Sequence, residues 1–266
     1  MNKVISNQSI YWDYKIQGVL DKDLLNEVIK FHQSSSVIRR DTNVYPYNNE
    51  TLNWLKDAEF TDVLPNIYED EIPLKVEKMN FQNSVRDFNP DMKISIDELS
   101  RVLYKSFGRS ADSPSKRYPS AGALYPIIPI LFLLEDDRVL GANLSVGAYI
   151  LDTTSLTLKR YCSWSRDELR EFLMVLNPVE NRIYSPYLIG YAINMKKAVA
   201  KYKRRGYRHA LIEIGLMAQC FRESCKEEER IGEFCWSGFD DNALTYNAGL
   251  NPRISPIALI QWFGKY

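Results

Sequence analysis

The sequence predicts an α+β domain with a mixed sheet, and three observations carry that expectation. Strand-like and helix-like stretches are interspersed without a strict βαβ rhythm. A hairpin pattern sits in the middle of the chain, and the glycine fingerprints of doubly wound nucleotide-binding folds are absent: there is no GxGxxG and no GxxxxGK[ST].

Taken in order, Asp21–Ser34 reads as a helix, with Asp21 as N-cap and Leu24, Leu25, Val28 and Phe31 near helical spacing. A polar loop and the acidic, proline-bounded segment PNIYEDEIP follow. Residues 1–75 are therefore expected to form an N-terminal extension ahead of a main domain at 76–266. Ser95 and Glu98 form a capping box that opens a helix with Ile96, Leu99, Leu103 and Phe107 on one face and Gly108 as its stop. A polar loop then enters the apolar run ending at Leu134, read as a buried strand. Val146–Leu151, the turn Asp152–Ser155 and Leu156–Tyr161 alternate as a hairpin does. Ser165 and Glu168 make a second capping box, opening a helix through Leu176. Leu188–Met195 is strand-like. Tyr207–Glu227 is the strongest helix, with Leu211, Ile214, Met217, Ala218 and Phe221 as its apolar face, and Ser255–Phe263 is a further strand.

Composition narrows the function classes. The 34 basic and 34 acidic residues cancel, which argues against a dedicated nucleic-acid binder. No apolar run reaches membrane-spanning length, and the first residues lack the apolar core of a secretory signal, so a cytoplasmic protein is expected. Two histidines and four cysteines, without CxxC or HExxH spacing, predict no metal centre. If the chain is an enzyme, a bound cofactor must carry its hard chemistry.

Four constellations could hold such a cofactor and act beside it. Arg117–Pro126 (RYPSAGALYP) is a loop of small residues running into a strand; Ser120, Ala121, Gly122 and Ala123 let backbone amides approach a flat polar ligand. An ordinary loop entering a core strand is the competing reading. Lys196, Lys197, Lys201, Lys203, Arg204, Arg205 and Arg208 put seven cations in thirteen residues, with no acid before Glu213. They read either as a solvated face or as an anion site and catalytic amine, with Lys201–Tyr202 as a proton-transfer pair. Trp236–Asp240 (WSGFD) is a tight turn after a helix. On an extended strand, Ser84 and Arg86 point the same way and could share a phosphate.

Together these pieces resemble the nitroreductase superfamily of flavin enzymes. More narrowly they resemble the thiazole/oxazole (azoline) dehydrogenases that accompany cyclodehydratases in microcin- and streptolysin-type peptide synthesis. The similarity runs over about residues 80–266 and rests on RYPSAGALYP, Gly147-Ala-Tyr149, Lys201–Arg208, Ala210–Gly215 with Gln219, Trp236–Asp240 and Pro256–Gly264. It implies a nitroreductase-like, mainly antiparallel sheet flanked by helices, in a homodimer with FMN at the interface. Ser84 and Arg86 would hold the FMN phosphate, helped by Lys265. Ser120–Ala123 and Ser237, Gly238 and Phe239 would line the ring, with Arg208 and His209 at its edge. Lys201 and Tyr202 would be the catalytic pair. Gln82 stands where relatives place an arginine, and Cys220 where they often place an asparagine.

The activity so implied is oxidation of thiazoline or oxazoline rings in a ribosomal precursor peptide, alongside cyclodehydratase partners and with no metal, nucleic acid or membrane. A general NAD(P)H-dependent nitroreductase or flavin reductase, and a non-catalytic scaffold subunit, are the alternatives.

Overall fold

Three apolar runs become adjacent central strands because their residues are buried on both faces. The computed structural model describes residues 16–38, 48–62, 64, 67–153, 155–178 and 182–266. The N-terminal residues 1–15, Pro65 and Asn66 of the acidic segment, and Thr154 of the hairpin turn lie outside the described residues. The strands are β1 (Ile94–Ser95), β2 (Ile127–Leu133), β3 (Val139–Leu140), β4 (Gly147–Asp152), β5 (Thr157–Cys162), β6 (Tyr187–Ile193), β7 (Ile231–Trp236) and β8 (Ile257–Lys265). Six form one sheet in the order β5-β4-β2-β6-β8-β7, antiparallel at every pairing. The parallel component is confined to the short β1–β3 bridge.

The described helices are α1 (Lys22–Ser34), α2 (Asn49–Ala58), α3 (Ile96–Phe107), α4 (Arg166–Leu176), α5 (Met195–Tyr202), α6 (Arg204–Lys226) and α7 (Asp241–Asn247). One sheet face is covered by α1, α3, α5 and α6 around Leu103, Tyr191, Met217 and Phe221. The other is covered by α4 and α7 around Phe172, Leu244 and Trp262. Both capping boxes form, at Ser95–Glu98 and Ser165–Glu168, and Asp21 caps α1. Phe31 and Leu211, expected on buried faces, are instead 65% and 41% exposed.

Chain contacts divide the protein differently from a boundary at residue 75. One unit contains residues 16–38 and 84–266, because Leu24, Leu25, Val28 and Ile29 of α1 belong to the main core. The other, within residues 39–83, holds α2, which buries none of its residues and is capped by Asn48.

Candidate functional site

Strand polarity decides which sequence motifs can meet. Ile127 at the start of β2 pairs with Ile193 at the end of β6; Ala192 pairs with Ile257 at the start of β8, and Ile260 with Trp236 at the end of β7. The loop before β2, helix α5 after β6 and the turn after β7 therefore all leave the same end of the sheet.

The 120–125 loop is tightly wound. Ala121–Ala123 make a short 3-10 turn, and Gly122, Ala123 and Tyr125 have φ of 61°, 55° and 47°. Left-handed backbone at two non-glycine residues costs roughly 1–2 kcal/mol each and persists only where surroundings impose it. Here Ser120 accepts the Tyr125 N–H at 2.8 Å and donates its own hydroxyl proton to Glu213 Oε2 at 2.5 Å.

Helix α5 brings the Lys-Tyr pair to this loop. Asn194 caps it by accepting the Lys197 N–H, and Met195, Ala198 and Val199 bury its inner face, leaving Lys201 exposed. The helix stops because Lys203 adopts φ 55°, ψ −138°, after which α6 begins. Gly206 is required at this joint: a Cβ there would lie 1.9 Å from the Ala198 carbonyl oxygen. At the loop, a Cβ on Gly122 would lie 2.5 Å from Tyr202 Oη and 2.7 Å from Lys201 Nζ. The Lys201 amine lies over the Tyr202 ring at 5.2 Å, and the His209 ring meets Tyr202 edge-on at 5.1 Å. Ser120–Ala123, Lys201, Tyr202 and His209 thus form one cluster.

A second group of charges, which sequence reasoning did not single out as a site, surrounds the loop. Glu213 is only 2% exposed, and its other oxygen, Oε1, has no hydrogen-bond partner. Burial pushes its carboxyl above the ordinary range, while the Ser120 hydrogen bond and the charges of Lys116 and Lys197 pull it down. Burial, then Arg109 and Lys197, push the Lys116 amine down to about 8, against the opposing pull of Glu213. Lys116 also lies over the Tyr118 and Tyr125 rings, at 5.7 and 5.3 Å. The sequence did hold a signal: Glu213 falls in register with Ala210, Ile214 and Met217, an acid placed on an apolar helix face.

Other expected site residues lie elsewhere. Arg208, beside His209, lines a cleft of about 420 Å³ with Val28, Phe31, Tyr207 and Leu211. The Trp236–Asp240 turn follows strand β7 rather than a helix. Ser237 and Gly238 are exposed there, but the Phe239 side chain is 1% exposed in the α4/α7 core and presents no ring to a ligand. Ser84 and Arg86 are exposed on an extended segment that is not an assigned strand. Between them Val85 donates its N–H to Glu233 O at 3.0 Å, and the Arg86 guanidinium lies over the Phe234 ring at 5.6 Å. Lys265 pairs with Ile231, at the far end of β8 from Ile257. Eight residues at about 3.3 Å each put it roughly 26 Å along the strand from the loop end. Its amine is buried, donating to Glu98 Oε1 at 2.5 Å and to the Glu229 carbonyl at 2.8 Å, so within one chain it supports α3 rather than a phosphate beside the loop.

This architecture is nitroreductase-like. Putative nitroreductases from Anabaena variabilis and Ralstonia eutropha superpose with TM-scores of 0.56 and 0.53 at 18% and 14% identity, over 87% and 86% of this chain and 50% and 88% of theirs. A chain of the E. coli microcin synthetase McbBCD complex with truncated pro-MccB17 bound superposes with a TM-score of 0.80 at 23% identity, over 95% of this chain and 97% of that one. In sequence, the chain is 31% identical over 179 residues to the microcin B17-processing protein McbC of Escherichia coli, which is 65% of this chain. The match spans 62% of that relative's length, less than two thirds. No family model matches the chain.

Proposed function

We propose that this protein is a flavin-dependent dehydrogenase that oxidises thiazoline or oxazoline rings in a ribosomal precursor peptide to thiazoles or oxazoles. The observation that carries this reading is the close approach of the Lys201 amine and Tyr202 hydroxyl to Gly122, where a Cβ would lie 2.7 and 2.5 Å from them, which supports a proton-transfer pair working against a small-residue loop. The likeness to McbC supports the choice of substrate class.

The loop fits the ring of a flat cofactor. Gly122 and Ala123 are exposed and carry little side chain, so a flat ligand can approach their backbone closely, although the Ala123 N–H is already given to the Ser120 carbonyl at 3.0 Å. FMN, when bound, supplies the hydride acceptor. Lys201 takes the proton from the former Cα of the azoline, Tyr202 orients the amine and ring, and His209 holds Tyr202 from the side. Ser120–Ala123, His209 with its neighbour Arg208, and the Ser237–Gly238 backbone would contact the cofactor, while Ser84 and Arg86 would hold its phosphate. The phosphate residues lie beside β7, away from the loop. A ligand between two copies of the chain can use residues that are distant within one, and this supports a homodimer.

The likeness to a McbBCD chain supports work beside cyclodehydratase subunits. Ile72 and Leu74 of the 1–75 extension, and Val76, Met79 and Phe81 just after it, are each more than 70% exposed, which supports partner or substrate docking by the extension and the segment that follows it. Cys220 and Cys225 sit buried as thiols on the apolar side of α6, which supports a reducing, cytoplasmic setting. Among the described residues no helix is long and apolar enough to cross a membrane, and no cluster suits a metal ion.

The test is to supply FMN and an azoline peptide and follow loss of two hydrogens per ring by mass spectrometry. No loss, where McbC in the same assay gives it, overturns the reading. Rapid flavin bleaching by NADPH alone, without azoline oxidation, would point instead to a general nitroreductase.

A further inference from the structure

The carboxylate behind the loop has a role that none of the expected site residues fills. Glu213 is buried on α6 with one oxygen committed to Ser120 and the other without a hydrogen-bond partner. A carboxyl group kept in such a place needs a compensating reason, because desolvation opposes its charge. The reason lies in the loop. Ser120 is the hinge of the 120–125 turn, accepting the Tyr125 N–H while its own proton goes to Glu213. With Glu213 as acceptor, the hydroxyl hydrogen points into the helix and an oxygen lone pair is left for Tyr125. Without it, the hydroxyl can rotate, and Ala123 and Tyr125 are free to relax from their left-handed conformations. Gly122 would then move from Lys201 Nζ and Tyr202 Oη.

We propose that Glu213 is a positioning residue: acting through Ser120, it locks the 120–125 loop against the Lys201–Tyr202 pair. The importance of that placement rests on the reading of Lys201 and Tyr202 as the reactive pair; the lock itself does not. Burial raises the Glu213 carboxyl, and the Ser120 hydrogen bond with the positive charges of Lys116, ahead of the loop, and Lys197, on α5, opposes it.

Amide hydrogen exchange on the full chain, with neither flavin nor peptide added, tests the lock. Glu213→Asp withdraws the acceptor by one methylene, and Glu213→Ala removes it. Both should speed exchange of the 119–126 peptide on the order of tenfold while β2 and β6 keep wild-type protection. Glu213→Gln retains a carbonyl acceptor for Ser120 and should stay within about threefold of wild type. If Glu213→Ala loses protection throughout the sheet, the Asp and Gln variants carry the comparison. Wild-type loop exchange in Glu213→Asp, or exchange in Glu213→Gln as fast as in Glu213→Asp, overturns the proposal. No step of the assay needs turnover. A protein with the expected loop response that oxidises no azoline overturns the proposed function alone, and an active enzyme with an unmoved loop overturns the lock alone.

Discussion

Lys201 and Lys265 are lysines set at opposite ends of one sheet, and their surroundings differ in every respect that governs reactivity. Lys201 is exposed on the last turn of α5, with the Tyr202 ring and Gly122 beside its amine. Lys265 is buried, and its amine is shared between the Glu98 carboxylate and the Glu229 carbonyl. Burial opposes the Glu98 charge, but the Lys265 amine and the hydrogen bonds from Ser95 outweigh it and hold the carboxyl below its ordinary range. A cation with a built-in anionic partner acts as structure. One set among small residues, an aromatic ring and a phenol is left available for chemistry.

Replacing the two lysines should separate these roles most sharply. On the proposed reading, Lys201→Ala lowers azoline turnover by about 10²–10⁴-fold, while the absorption spectrum still shows bound flavin. Loss of the flavin instead would make Lys201 structural and erase the contrast. Gly122→Ala sharpens the same end: its Cβ meets the movable tips of Lys201 and Tyr202 at an unfavourable φ. Turnover should fall by about tenfold or more, with a stability loss near 1 kcal/mol in denaturant unfolding. At the other end, Lys265→Met strands the Glu98 carboxylate and should cost about 2 kcal/mol of stability, with flavin affinity unchanged. A weakened flavin affinity would return Lys265 to the cofactor site.

The last effect expected is a pH slope. Because the folded form sheds the Lys116 proton near 8 and the unfolded chain near 10.5, the folded state binds fewer protons between those values. Stability contributed by this group therefore rises with pH across that window. Subtracting the Lys116→Met unfolding curve from wild type should recover that rise. A flat difference would mean that Lys116 is better solvated than its position implies.

Much of the scaffold was legible because its signals are local. Asp21, Ser95 and Ser165 announce helix starts through their own side chains, and the β4–β5 hairpin declares itself by alternation and turn residues. Strand β7 was hidden because Glu233 interrupts its apolar pattern. Glu233 is tolerated on the inner face because Arg222 pairs with it and Gln261 donates to it. Helix α5 was hidden inside a run of cations whose apolar partners, Met195, Ala198 and Val199, are few. At the site, the motifs were visible but their meeting was not. Gly122 and Lys201 are joined by strand order, as are Ser120 and Glu213, and no local pattern encodes strand order. Lys265 shows the converse: a residue type right for a phosphate, whose amine the fold commits to the Glu98 carboxylate and the Glu229 carbonyl.

The break at Lys203 also sets the distance between two rings. In an unbroken helix Tyr202 and His209, seven residues apart, would have their Cα atoms separated by about 10.5 Å along the axis, each ring standing over its own turn. With one residue wound the other way, the chain doubles back enough for the ring centroids to come within 5.1 Å. The aim of the Tyr202 hydroxyl is thus fixed by a joint in the main chain, and a residue added or removed there would turn the phenol away while leaving every side chain of the site in the sequence.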